Sequence, residues 1–241
     1  RAAPDGYTLL AVQNSITINP SLMKHVPYDP LKDFDPISKI STYMYFLVVH
    51  PATQARSVQQ LIALARAKPD QLTYASVGVG SGTHLAGELF KSMARVKMTH
   101  VPYKGSGPSI IDLIGGQVAL SFGSTSVLPH VLTKKLILLG VSGARRSSFV
   151  PDTPTIAESG VPGYEVIGWN ALFAPVGTPV TIIYKLNQLV RQGLINPDTK
   201  AVMEAQGLDA TPGTPQELRE EMQAELAKWA KLIKSAGIKP E

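Results

Sequence analysis

The sequence predicts an α/β protein of two lobes, and three observations carry that prediction. Between residues 71 and 126, short apolar runs break three times into loops of Gly, Ser and Thr that lead into apolar helical segments. Two extended runs, Tyr43–Val49 and Gly163–Phe173, bracket this block. Beyond Gly177 the apolar residues fall at helical spacing. Residues 44–166 therefore read as an inserted domain, and 1–43 with 167–241 as a discontinuous lobe joined to it by two crossing strands. A hinge with a cleft of this kind suits a receptor that closes on a guest.

Taken in order, the chain opens on the turn residues Pro4-Asp5-Gly6 and enters an apolar strand, Tyr7–Val12, which leaves through Gln13-Asn14-Ser15. The Pro- and Asp-rich stretch Tyr28–Pro36 predicts an ordered surface loop. Tyr43–Val49 has strand length and stops at His50-Pro51. Ser57 and Gln60 have capping-box spacing and open a helix that runs to about Lys68, before Pro69.

Three corners follow. In the first, a buried strand Leu72–Ala75 runs into the small-residue loop Ser76–Thr83, and a helix starts near His84. A helix start leaves about four N–H groups without partners at the positive end of the peptide dipoles, so a Gly/Ser loop feeding it can wrap an anion. In the second, Met98–Pro102 leads through Tyr103-Lys104-Gly105-Ser106-Gly107-Pro108 to a helix, Ser109–Ile114. In the third, Val118–Phe122 leaves through Gly123-Ser124-Thr125-Ser126. Parallel βαβ units place all such loops at the carboxyl edge of the sheet, where open α/β folds bind ligands.

Beyond the corners, Lys135–Val141 reads as a strand and Arg145–Phe149 as a polar loop; Thr155 and Glu158 are spaced to cap a short helix that Gly160 ends. Gly163–Phe173 is extended, with Trp169-Asn170 in its middle. Helices are predicted over 179–194 and 198–206, with Gly207 as a stop. Thr214-Pro215-Gln216-Glu217 starts a last helix, whose apolar face of Leu218, Met222, Leu226, Trp229 and Ile233 runs on to Ala236 before Gly237.

Charge and composition narrow the chemistry. The net charge is +5, and from Gln71 to Pro151 only Glu88 and Asp112 stand against eight Lys and Arg residues. No basic run is interleaved with aromatics, so a small anion fits this bias and nucleic acid does not. The absence of Cys excludes thiol catalysis and cysteine metal sites. No 18-residue apolar run exists for direct membrane insertion. Ser81, Ser106 and Ser124 lack a Gly-x-Ser-x-Gly setting, and Thr83 stands where a dinucleotide fingerprint needs Gly or Ala. His84 and Glu88 lie four apart on one helix face without an evident third metal ligand. No catalytic residue, metal or cofactor is therefore expected.

Several stretches, in order, resemble one family: Ala3–Leu10, Tyr28-Asp29-Pro30, Asp33–Pro36, Leu85–Glu88, Val101–Gly105, Pro154–Gly160, Pro162–Glu165 and Ala236–Lys239. They are similar to the substrate-binding proteins of bacterial tripartite tricarboxylate transporters, the Bug receptors. The resemblance covers essentially the whole chain. It implies a type II periplasmic-binding-protein-like fold and a monomer in the periplasm that holds a small carboxylate and delivers it to the membrane permease subunits of the transporter. It points to Ser81, Gly82, Thr83 and His84 in the first corner, Tyr103, Lys104, Gly105 and Ser106 in the second, and Gly123, Ser124 and Thr125 in the third. Asn14 and Ser15 would face them from the other lobe, and Trp169 with Asn170 would lie near the hinge. Family members begin roughly 60 residues earlier by the same resemblance, so the first lobe is expected to lack its initial βα unit, to expose sheet edges and to bind carboxylates weakly. A two-lobed docking or signalling protein without a transport role is the alternative class, and a small-molecule hydrolase a more distant one.

Overall fold

Apolar side chains from strands and helices pack into separate core clusters. The computed structural model describes residues 2–235, so the expected stop at Ala236-Gly237 lies outside the described residues. The chain divides into two compact units, residues 1–43 with 168–241 and residues 44–167.

The first unit holds a four-stranded sheet in the order β1 (Leu10–Gln13), β8 (Ile167–Pro175), β2 (Phe34–Met44) and β9 (Asp209–Ala210). β1 runs antiparallel to β8, with Leu10 opposite Phe173 and Gln13 opposite Asn170. Its helices are α1 (Ser15–Leu22), α6 (Val180–Ile195), α7 (Pro197–Ala205) and α8 (Pro215–Ser235). Ile16, Trp169, Ala171, Phe173, Leu218 and Met222 close one core. Thr214 and Glu217 form the predicted capping box, each side chain accepting from the other's amide, at 3.1 and 2.7 Å.

The second unit holds a five-stranded sheet in the order β5 (Thr99–Pro102), β4 (Thr73–Ser76), β6 (Leu120–Gly123), β3 (Phe46–Val49) and β7 (Ile137–Val141). β4 is parallel to both β5 and β6, while β3 is antiparallel to its two neighbours. The residues of β3 are all buried, as a strand covered on both faces requires. Helices α2 (Val58–Ala67), α3 (Gly82–Ala94), α4 (Ser106–Ile114) and α5 (Leu128–Leu132) follow in sequence. Phe46, Val48, Ala75, Leu113 and Val127 form one core cluster. Phe90, Phe122 and Tyr164 meet in another group of rings.

Four expectations are corrected. α1 was not anticipated: its run Ser-Ile-Thr-Ile-Asn-Pro-Ser-Leu is rich in β-branched residues and carries Pro20, so packing rather than propensity makes it helical. The stretch read as a loop to Pro36 already enters β2 at Phe34. The run 43–49 is two strands, interrupted at Tyr45, whose N–H is taken by the Ser142 hydroxyl at 2.8 Å. Thr155 and Glu158 exchange their capping bonds, but the chain only turns there, because Val161 N–H closes back on Ile156 O and Gly160 sits at φ +109°.

Candidate functional site: three corners on one sheet edge

Parallel β5, β4 and β6 are neighbours in that order, so the loops after them lie side by side along one edge of the sheet. The corners are tied together by backbone. Tyr103 N–H donates to Ser76 O at 3.0 Å, and Gly105 N–H to Val77 O at 3.2 Å. Gly105, the residue before α4, has φ +108° and ψ 178°, a conformation open to glycine and not to other residues. The backbone angle alone asks for glycine there, since nothing lies within 4 Å of where a Cβ would stand.

The first corner is held by its own hydroxyls. Ser76 Oγ bonds both the N–H and the O of Gly78, each at 3.1 Å. Thr83 Oγ1 accepts from Val77 N–H at 3.0 Å. Ser81 Oγ donates to Gly78 O at 2.6 Å and caps the His84 amide at 3.3 Å. Thr83 and His84 are buried. The expected hydroxyl and imidazole contributions of Ser81, Thr83 and His84 are thus committed to building the corner, and what is left over is main chain: Gly82 and Thr83, both buried, begin α3, and their amides precede any intrahelical acceptor.

In the second corner, the Tyr103 hydroxyl donates to Asp112 Oδ2 at 2.8 Å. Burial, with the adjacent Asp112 carboxylate, pushes the Tyr103 phenol up to about 12, so it stays a proton donor. Lys104 is exposed and makes no ion pair with any described residue, and Ser106 and Gly107 open α4 beside it. In the third corner Ser124 and Ser126 hydroxyls bond each other at 2.8 Å, and Gly123, Ser124 and Thr125 are half-buried at the end of β6.

The acidic residues of this region are occupied. Glu88 accepts from the Tyr74 hydroxyl and from Lys91 Nζ, both at 2.6 Å, and Asp112 is taken by Tyr103. His84 Nδ1 accepts from Gly80 N–H at 3.3 Å. His84 and Glu88, adjacent on one helix face, therefore turn to different partners instead of converging. Residues 44–167 carry eleven Lys and Arg against six Asp and Glu, whereas the rest of the chain carries twelve of each. The whole net charge of +5 falls on the unit that holds the corners.

The remaining expected residues lie in the first unit. Asn14 is buried at the start of α1, its N–H on Trp169 O at 3.1 Å and its carbonyl accepting from Thr17 and Ile18; Ser15 is half-buried beside it. Trp169 is 1% exposed and packs in the core with Ile16, Phe173 and Met222. Asn170 donates to Ser41 at 2.9 Å. An apolar cavity of about 640 Å³ opens elsewhere in this unit, lined by Leu9, Leu10, Tyr28, Phe34, Pro175 and Asp33. With a carboxylate and no cation among the described residues of its wall, it is not where an acidic guest is placed below. The sequence reading missed His100, which bonds Ser76 from the neighbouring strand; nothing local marks a residue that acts across a sheet.

Two α/β units, one of them inserted in the other and bearing small-residue corners on a parallel edge, define the periplasmic binding proteins. The chain belongs to the tripartite tricarboxylate transporter family of receptors, whose model matches residues 1–238. It is 36% identical to the protein BugT of Bordetella pertussis over 99% of this chain and 74% of that protein. It superposes on R. palustris Rpa4515 with adipate at a TM-score of 0.93, with 36% identity over 100% of this chain and 81% of that one. Against MatC from Rhodopseudomonas palustris with bound malate the TM-score is 0.87, with 28% identity over 96% and 81%.

Proposed function

We propose that this protein is a periplasmic solute receptor, not an enzyme, that holds a small organic carboxylate at the three corners of its second unit. On this reading it passes the guest to the membrane permease subunits of a tripartite tricarboxylate-type transporter. The observation that carries the reading is the run of adjacent parallel strands β5, β4 and β6, which sets three amide-bearing corners side by side in the unit that holds all the net charge. Amides at helix starts stabilise a carboxylate without proton transfer, and the surrounding positive field raises its local concentration. The adipate and malate of the two solved relatives support a guest of this class. Ser81, Gly82, Thr83, Gly105, Ser106, Gly123, Ser124 and Thr125 supply main chain in this proposal, and Lys104 supplies charge.

Calorimetry with adipate and malate tests it. Weak one-to-one binding is expected, and Lys104→Ala should weaken the dicarboxylate by about 3- to 10-fold while leaving a neutral diamide analogue unchanged. Absence of binding across a panel of small organic acids would overturn the receptor reading. An unaltered dicarboxylate affinity in Lys104→Ala would return that lysine to the solvated surface.

A further inference from the structure

A pair of histidines that the corner residues do not account for sits directly behind the first corner. The rings of His84 on α3 and His100 on β5 are stacked, 4.0 Å between centroids and 5° from parallel. Tyr74 on β4 also stacks on His100, at 4.9 Å and 23°. His100 Nε2 lies 2.7 Å from Ser76 Oγ, the hydroxyl that grips Gly78 by both its N–H and its O. His84 Nδ1 accepts from Gly80 N–H, and its own amide is capped by Ser81. One ring therefore holds the start of the corner through Ser76 and the other holds its end through Gly80, and the two rings are braced against each other.

We propose that His84 and His100 are positioning residues, whose stacked imidazoles fix the first corner in the shape that receives the guest. This rests on the carboxylate-receptor reading above and adds to it the pair that sets the geometry of its central corner.

Chemistry supplies a readout that simple packing would not. The charged and titratable groups around the pair are Glu88 and Lys91 on α3, with Tyr74 on β4. Glu88 is already bonded to Lys91 and to the Tyr74 hydroxyl, which weakens its hold on an imidazolium. Burial first, then the neighbouring His84, lowers His100 to about 4. Acidification through that range places a cation in the stack and loosens the corner.

Two variants and adipate as probe test the proposal. His100→Phe keeps a stacked ring and loses the Ser76 bond; His100→Gln keeps a donor for Ser76 and cannot titrate. At pH 7, His100→Phe should bind adipate about 5-fold more weakly and exchange the Gly78 and Gly80 amide hydrogens faster, with His100→Gln within about 2-fold of the native protein. From pH 6 to 3.5, with folding followed by circular dichroism, native affinity should fall roughly 5-fold relative to His100→Gln. Adipate's own protonation affects both proteins alike and cancels in that ratio. A flat ratio, or His100→Phe with native affinity and native exchange, overturns the proposal. If His100→Phe does not fold, the ratio and the exchange rates of His100→Gln decide. If none of the proteins binds adipate or malate, the receptor reading fails alone, since the amide exchange still reports whether the pair holds the corner.

Discussion

The two units are built from the same layers of helix and sheet and differ in where their polar groups go. In the first, twelve positive and twelve negative side chains balance, and the polar groups tie helices down: Arg219 to Asp35 at 3.1 Å, Lys39 to Glu221 at 2.6 Å, Asn187 to the carbonyls of Ile37 and Gly213. In the second, the charge is unbalanced by +5 and the hydroxyls of Ser76, Ser81 and Thr83 turn inward onto their own loop. On the proposed reading, the difference teaches that side chains at this site act as scaffolding, while recognition is left to main chain and to field. A receptor built that way distinguishes carboxylates by shape and reach, because an amide hydrogen does not read what a carboxylate is attached to.

The sharpest way to break the contrast is to disturb what lies beneath the first corner. Gly87 is on the face of α3 that meets the Tyr74 ring, and a methyl there would overlap it. Tyr74 is fully buried, bonded to Glu88 and stacked on His100, so it has little room to yield. Gly87→Ala should cost about 2 kcal/mol, lower Tm by roughly 4–8 °C and weaken adipate binding together with stability. A melt and a titration on the same protein check it; unchanged values for both would mean that the ring and helix separate freely.

A second effect separates the units by sign. His100 in the second unit is lowered to about 4 by burial, against 6.5 for a free imidazole. The unfolded chain therefore binds the extra proton, and stability falls as pH drops from about 6.5 through 4, by on the order of 1–2 kcal/mol once partial exposure is discounted. Glu225 in the first unit is raised by burial; Thr17, 2.7 Å away, and the nearby Trp169 indole only partly offset this. Here the folded state favours the proton, so stability is lost as pH rises above the ordinary glutamate value of 4.5. Glu225→Gln should raise Tm at pH 7 and not at pH 4. His100→Gln should flatten the acid limb and leave the pH 7 value nearly unchanged. Thermal melts of the two variants across pH 4–7 check both slopes, and parallel slopes would remove the distinction.

Much of the second unit was legible because its signals are local. Each corner announces itself as an apolar run, a cluster of Gly and hydroxyl residues and a helix start, and the strands at Thr73–Ser76, Thr99–Pro102 and Leu120–Gly123 lie within two residues of where that pattern sets them. The first unit was harder because its signals are not local. β2 crosses Pro36 near its start, where a missing N–H is tolerated, and α1 contains Pro20 and is shaped by packing on α8. The same limit hid the histidine pair. His84 and His100 are 16 residues apart on a helix and a strand, and only the sheet order brings β5 beside β4. Hydroxyls in a Gly-rich loop also read as ligand contacts in sequence, and nothing in the composition says that Ser81 and Thr83 will be used up by Gly78 and Val77.

The smallest expected effect is the control that gives the others meaning. Gly193 lies inside α6 of the first unit, with ordinary helical backbone and nothing within 4 Å of an added Cβ. Gly193→Ala should therefore gain about 0.5–1 kcal/mol from the restricted unfolded chain and better helix propensity, raising Tm by roughly 1–4 °C. Because α6 contributes no residue to the corners, adipate affinity should not move. If affinity rises or falls with this change, stability and recognition are coupled through the whole chain, and the weakening expected in Gly87→Ala can no longer be assigned to the corner above it. If affinity holds while Tm rises, the loss in Gly87→Ala belongs to the Tyr74–His100 stack and the loop it carries.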